Sequence, residues 1–566
     1  MNNKILNTIL FTAITLFIMS SCTNIDDKYY SETTPDNYFT SQEAVLGRLA
    51  RPYSHLQWTY TSYIYHLQSL PTDEMSITTK GRHWSGNGAF MQLHRHQWNA
   101  ESTSYGISNT WTGLNQGIGY VIDAKDDIAQ YVDYDALLFP EGTRENHLAQ
   151  LDVMAAILYK RLLQNFGGVP IYTSKDDEAK PRATAQETFD HIENLLLGAI
   201  PHLTAKEKGD MEDVSLTKGT AAMALMRLYF NAEATIGIPM YEETAELAEE
   251  IINGDYGYYE LEETWNEVFG MENMYSSELV WGIYSKTALR EQTFPWADYY
   301  HYTSYQYFGT DRGANNGVHL QPSLDPEGNE YPYKLGKPFA KFHEDDLRKK
   351  PYRYLGNKEY EGMFLYGEQR NPNNPDQVSL GTEEYRGEPL VFVDQVARFS
   401  EYLNGDVPSL SDLRSSISDG EENTGVRLVK RPRPFIAEKD IEWDSYPVVY
   451  RLAEVYYTLA ECKMRAGDNA GAAELINQVR ARNFENRIDP DPVTATNLDE
   501  YRMLDEWLIE FLGESRRRMD LIRMGKFVTE DWWDHTATND PNYNLFPIPN
   551  SAIAGNPLLE QNPGYN

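Results

Sequence analysis

Two stretches of this chain combine flat rings with hydrogen-bonding groups in a way that could hold a hydroxylated ligand. In "TTKGRHWSGNG", Trp84 sits among Arg82, His83 and Asn87, between glycines that would present it on a loop. In "FPWADYYHYTSYQYFGTDRGANNG", Trp296, Tyr299, Tyr300, Tyr302, Tyr305 and Tyr307 crowd together, followed by Asp311, Arg312 and Asn315. Sugar rings carry apolar C–H faces that stack on Trp and Tyr, and hydroxyls that need fixed donors and acceptors. An aromatic platform with polar flanks is the arrangement that serves both. The alternating aromatics of the second stretch equally suit a strand packed under a lid, and either reading is open for any one tyrosine.

Other constellations select less. Eighty-five acidic residues supply many carboxylate pairs for the acid/base chemistry of a glycoside hydrolase, but nothing singles one out. Glu510 and Glu514 alternate with Arg516, Arg517 and Arg518, a spacing read as i,i+4 ion pairing on a helix. His94 and His96 offer two imidazoles with no third ligand at a telling distance, so a structural role is expected. The acidic loops "SDGEENTG" and "DPEGNE" lack EF-hand spacing. Phosphate-cradling glycine loops and serine nucleophile elbows are absent from the sequence, so no cofactor and no catalytic residue is expected.

The elements that must position these groups are helical. "NHLAQLDVMAAILYKRLLQNFGG" carries an apolar stripe that Gly167 and Gly168 end, "LTKGTAAMALMRLYFNAEA" repeats it, and "YEETAELAEEIING" stops at Gly254. "YPVVYRLAEVYYTLAECKMRAGDNAGAAELINQVRARN" reads as two helices joined at Ala466-Gly467-Asp468, with Ala460, Ala472 and Ala473 allowing close approach. A last pair is expected through "LDEWLIEFLGESRRRMDLIRMGKF". The fold predicted is mainly α: a tetratricopeptide-like scaffold over roughly 110–260 and 445–530, carrying loop-rich insertions at about 60–110 and 285–440 in one continuous body over 41–566. The closing stretch 545–566, with prolines set between Leu545, Phe546, Ile548, Ile553 and Leu558, is expected to dock in a groove.

Composition adds limits. A net charge of −35 repels phosphate backbones, so nucleic acid is not an expected partner. Residues 1–21, one lysine followed by an apolar run and small residues before Cys22, read as a lipoprotein export signal, with an ordinary signal peptide and an incidental cysteine as the alternative, and 22–40 as a tether. With Cys22 lipidated, Cys462 is left as a small buried hydrophobe, outside any disulfide or thiolate metal site.

"NFGGVPIY", "YRLAEVYYTLAEC" with "AAELINQVRARN", "EFLGESRRRMDLIRMGKF", "TDEMSITTKGRHWSGNGAFMQLHRHQW" with "WTGLNQGIGYVIDAKDDI", and the closing "FPIPNSAIAGNPLLEQNPGYN" together resemble the SusD/RagB family of outer-membrane lipoproteins across nearly the whole chain. The resemblance implies a non-enzymatic glycan-binding lipoprotein, lipid-anchored at Cys22 on the outer membrane and facing the exterior. It would act as a lid on a SusC-like TonB-dependent transporter that imports oligosaccharides. It implies four helical hairpins, an ordered C-terminal tail, and a ligand site near the Trp84 loop with Asp73 of "PTDEM" close by. The ligand-binding residues expected are therefore Asp73, Arg82, His83, Trp84, Asn87, Trp296, Tyr299, Tyr302 and Arg312. The loop "TDRGANNGVHLQPS" lacks a tryptophan that some starch-binding members place there, which leaves glycans other than starch open. A surface glycan hydrolase on a helical-repeat frame and a peptide-binding member of the same family are the alternatives.

Overall fold

The computed structural model describes residues 35–60, 63–100, 106–211, 214–286, 296–309, 313–432 and 444–565. Cys22, Asp311, Arg312 and the side chain of Trp296 lie outside the described residues.

The chain is mainly helical, and its scaffold follows from local signals. Helix α1 spans Gln42–Tyr60, α2 Ile107–Tyr131, α3 Thr143–Phe166 and α4 Ala185–Ala199. After these come α5 over Lys218–Phe230, α6 over Tyr241–Asn253, α7 over Leu452–Arg465 and α8 over Asn469–Arg480. In α2 the buried set Ile107, Trp111, Leu114, Ile118, Val121 and Ile128 recurs at helical spacing, which gives one stripe to the core. Thr184 with Glu187, and Thr217 with Thr220, close capping boxes that start α4 and α5 by satisfying otherwise orphaned N–H groups. Gly254 ends α6 and Gly467 turns α7 into α8, both in left-handed backbone (φ 90° and 85°) that only glycine adopts without strain. Each helix from α1 to α8 packs on the next, so that among the described residues they read as four hairpins in one array. The α6–α7 contact closes that array across nearly two hundred residues of intervening chain. None of these helices is long and apolar enough to cross a membrane.

Helix α1 is absent from the sequence-based expectation. Gly47 and Pro52 lie inside it and blur its period, and packing on α2 and α3 overrides them. Helices α9 (Glu500–Phe511) and α10 (Arg517–Arg523) match the expected last pair.

The insertions are built from short two-stranded antiparallel sheets. One of them, Met75–Ile77 against Val318–Leu320, sets the site described below: Ile77 faces Val318 and Met75 faces Leu320. Another, Leu279–Gly282 against Val448–Arg451, ties the insertions to the start of α7.

The closing stretch lies along the ends of α3 and α10. The Phe546 N–H donates to the Asn165 carbonyl (2.7 Å), Asn562 Nδ2 to the carbonyls of Phe166 and Phe546, and Arg182 reaches the Glu560 carbonyl and Asn562 Oδ1. Phe546, Ile548 and Leu559 are buried. Leu558, named as an anchor from the sequence, points to solvent instead, because the short helix Asn550–Gly555 shifts the inward position to Leu559.

Candidate functional site

The strand pair Met75–Ile77 with Val318–Leu320 delivers the two aromatic stretches to one place. Beyond Ile77 the chain reaches Lys80, which exchanges backbone hydrogen bonds with His83 (3.0 and 2.8 Å) and so turns the Trp84 loop back on itself. On the other strand, the residues preceding Val318 run beside the short helix Trp296–Tyr299. The N–H groups of Asn315, Asn316 and Gly317 donate to the carbonyls of Ala297, Tyr300 and Asp298, each at 2.7 Å.

The loop is tightly coiled. Trp84 (φ 59°), Gly86 (51°), Asn87 (51°) and Gly88 (84°) all occupy left-handed backbone. For the two non-glycine residues this costs on the order of 1–2 kcal/mol each, strain of the kind that collects at binding sites. The half-buried Trp84 indole is fixed in place: Nε1–H donates to the Asn315 carbonyl (2.6 Å), the ring leans on Phe90 at 5.7 Å, and Gly317 lies beneath it. A Cβ on Gly317 would come within 2.6 Å of Trp84 Cζ2, so glycine there makes room for the ring. The buried Lys80 ammonium braces the same corner by donating to the Gly317 carbonyl (2.8 Å). Burial, reinforced by Arg427, holds its pKa well below the ordinary lysine value.

Polar groups flank the ring. Arg82, its side chain 77% exposed, donates from Nε to His83 Nε2 (3.2 Å) and from Nη2 to Glu383 Oε1 (3.4 Å). His83 lies 5.2 Å from the half-buried Tyr302 ring, centroid to centroid. Glu383 is brought there by a buried carboxylate behind it. Glu422 accepts the N–H groups of Thr382 (2.7 Å), Glu383 (3.0 Å) and Tyr385 (2.7 Å), and a 2.9 Å hydrogen bond joins it to His301 Nε2. Burial alone would raise the Glu422 pKa, but His301 and these donors hold it down at about 2. Glu384 reaches back from the same segment to the Glu422 N–H (3.0 Å), clasping residues 382–385 against the Trp84 loop.

Of the residues expected at the site, Arg82, His83, Trp84 and Tyr302 therefore converge, and Asn87 is exposed on the same loop. Two expectations are corrected. Asp73 is fully buried, gripped by Arg517 Nε and Nη2 at 2.6 and 2.7 Å and accepting the Gly336 N–H, so it fastens α10 to the insertion and meets no ligand. Tyr299 is also buried: its hydroxyl shares a hydrogen bond with Tyr65 (2.5 Å) and donates to Met75 Sδ (3.1 Å), below the platform rather than on it. Sequence reasoning missed Glu383 and its positioning partner Glu422. The "GEEN" run containing Glu422 is weighed from sequence only as a cation loop, and no local pattern links it to residues 382–385.

The remaining candidates are structural. Glu510 and Glu514 do not pair with Arg516–Arg518 along the helix. Glu510 takes Arg348 (2.7 Å), Arg451 (2.7 Å) and Arg482 (3.1 Å), and Glu514 takes Arg451 and Lys430. These cations overcome burial and keep the Glu510 carboxyl well below the usual range. His94 and His96 are buried, with Nε2 atoms on the carbonyls of Trp533 and Pro71, both at 2.8 Å. Cys462 is a buried free thiol in α7, pushed up to about 12 by that burial.

Comparison with known proteins bears on this architecture. A family model described as the SusD family matches residues 278–565, and one described as "Starch-binding associating with outer membrane" matches residues 25–230. The Starch-binding protein SusD of Bacteroides thetaiotaomicron is 36% identical over 153 residues, 25% of this chain and 26% of that protein. SusD-like protein P25 of Formosa agariphila is 32% identical over 127 residues, covering 21% and 24%. The chain thus spans about a quarter of the length of these two relatives. SusD-like protein P38 of the same organism is 22% identical over 568 residues, 98% of this chain and 97% of that protein. Among solved structures, a SusD-like protein from Bacteroides fragilis superposes with a TM-score of 0.64 at 17% identity, covering 94% of this chain and 98% of the other. Surface glycan-binding protein A from Bacteroides thetaiotaomicron, in complex with laminarihexaose, gives 0.59 at 16% identity over 92% and 100%. Likeness at such identities speaks for the fold alone. With the SusD-family model matching more than half of its length, the chain belongs to the SusD/RagB family.

Proposed function

We propose that this protein is a surface glycan-binding lipoprotein that captures an oligo- or polysaccharide and passes it to a SusC-like TonB-dependent transporter. Cys22 would carry the lipid, on the exterior face of the outer membrane. The observation that carries the reading is the state of Trp84. Its N–H is already satisfied by the Asn315 carbonyl while the ring is only half-buried, so what it offers a ligand is apolar surface. Around that surface Arg82, His83, Asn87, Tyr302 and Glu383 provide donors and acceptors matched to sugar hydroxyls. The names of relatives lend support, one being a starch-binding protein and another a glycan-binding protein solved with laminarihexaose. Nothing in the geometry favours starch over another glycan.

The test is affinity electrophoresis of the intact chain against a panel of polysaccharides, with reducing ends assayed in parallel. Retarded migration with no sugar released is expected; release of sugar would overturn the reading in favour of a hydrolase. The anchor is tested separately: Cys22→Ser is expected to move the protein from the outer-membrane fraction to the soluble one.

A further inference from the structure

A second recess has a wall that begins at Tyr307, five residues after the platform's Tyr302. It encloses about 410 Å³, within the range of roughly 300–1,000 Å³ typical of small-molecule sites, and is lined by Tyr307, Phe308, Tyr352, Tyr354 and Tyr366. We propose that it is a second saccharide subsite, occupied by the continuation of a chain whose other end stacks on Trp84. This rests on the glycan-binding reading above.

Continuity with the platform argues for that occupant. Two segments run from one site to the other. Tyr302, which meets His83, leads through the exposed Tyr305 to Tyr307 and Phe308 in the recess wall. Glu383, which meets Arg82, is followed back through Leu380 to the hairpin Arg370–Val378 at the recess rim. Gln306 Oε1 accepts the Leu380 N–H (2.8 Å) and fastens the two segments together midway. Tyr305, between Tyr302 and Tyr307 in sequence, is 48% exposed, a ring that a saccharide spanning the two sites would meet.

The chemistry of the lining selects a neutral, hydroxyl-rich chain. The Tyr307 and Tyr354 hydroxyls accept the backbone N–H groups of His301 and Lys358, both at 2.8 Å, so these rings are held by their polar ends and bring carbon to the cavity. At the rim, Arg353 faces Glu361 (3.4 Å) and Arg370 faces Glu368 (2.5 Å). Each guanidinium has its carboxylate, so neither leaves an unpaired cation at the rim. An anionic ligand finds no charge partner there, and an uncharged, hydroxyl-rich saccharide suits the directed donors and acceptors.

The experiment is titration calorimetry on the intact chain with whichever polysaccharide of the panel it binds, and with a size series of fragments from the disaccharide upward. For the unmodified protein, affinity is expected to climb with chain length past the fragment that fills the platform. Tyr366→Ala, which removes the half-buried ring from the wall, and Asn371→Trp, which obstructs the rim, are each expected to flatten that climb. Polysaccharide affinity should drop about tenfold, or ~1.4 kcal/mol, while the shortest fragments bind unchanged. Trp84→Ala should weaken every length. Should Tyr366→Ala unfold, Asn371→Trp decides. A climb that survives Asn371→Trp, or an unmodified protein indifferent to chain length, overturns the second subsite and leaves the platform standing. Failure of the unmodified protein to bind any glycan overturns the platform reading and this inference with it.

Discussion

Trp84 and Gly317 form a pair in which one residue's emptiness positions the other's ring. Removing the ring with Trp84→Ala is expected to weaken glycan binding by about 2 kcal/mol, some thirtyfold in Kd, as for other aromatic anchors. Thermal stability should change little, because the lost ring is only half-buried. Gly317→Ala is the sharper experiment. Its added methyl lands 2.6 Å from Cζ2, so the indole must tilt away from Asn315, and binding should fall although every ligand-facing side chain is retained. Calorimetry reads the affinity, and a shift in tryptophan emission reads the tilt. At this scale the sequence reports residue type but not depth. Arg82, His83 and Trp84 stood out because glycine-flanked polar loops seldom bury their rings, and Tyr302 only as one of a run of aromatics. Asp73 and Tyr299 looked equally suitable, yet their fates are decided by Arg517 and Tyr65, which no local spacing brings near them.

Elements were legible where one periodic stripe faced one neighbour. Helices α3 and α5 to α8 were announced by such stripes, with glycines marking the ends of α3, α6 and α7, whereas α1 was hidden by Gly47 and Pro52 and α2 and α4 were not read as helices at all. The small sheets of the insertions were hidden by their brevity, since strands of two to five residues carry little alternation. What joins these elements is buried charge. Asp73→Ala would strand the Arg517 guanidinium between α10 and the insertion, with an expected loss of about 3–5 kcal/mol seen as a lowered midpoint in denaturant unfolding. The Glu422 carboxylate acts on a segment rather than on the whole fold. Glu422→Gln keeps the shape but replaces one acceptor oxygen with an NH2 facing backbone donors, so residues 382–385 should loosen and withdraw Glu383 from Arg82. Weaker glycan binding with nearly unchanged stability is expected, and faster amide exchange confined to 382–385 would identify the cause. Intact exchange protection there would rule it out.

At the scale of the molecule, the helical array and the insertions meet in a seam of histidines that folding keeps neutral. His94 and His96 sit against His535, whose Nδ1 is 3.0 Å from the His94 carbonyl, under Trp532 and Phe527. His66 lies 3.8 Å from Asp298 below the platform. Burial lowers His66 and His96 to about 3 and His94 to about 4, and pushes His319 and His535 down as well. An unfolded chain binds protons at these positions near pH 6.5 and the folded one does not, so the stability they permit is complete above 6.5 and erodes as pH falls below it. By pH 5 each fully buried histidine has withdrawn on the order of 2 kcal/mol. Buried carboxyls act in the opposite sense: burial raises Glu74 and Asp394 to about 7 and lifts Asp298, Glu267, Glu421 and Asp505 as well, so the folded state gains on acidification between 7 and the ordinary carboxylate range. His55, His147, His191 and His301 are lowered by burial too, so the depressed histidines outweigh the raised carboxyls, and the net expectation is a Tm that falls from pH 7 to pH 5. Calorimetric scans across that interval check it, and a Tm that held level or rose would mean that the seam takes up protons while still folded.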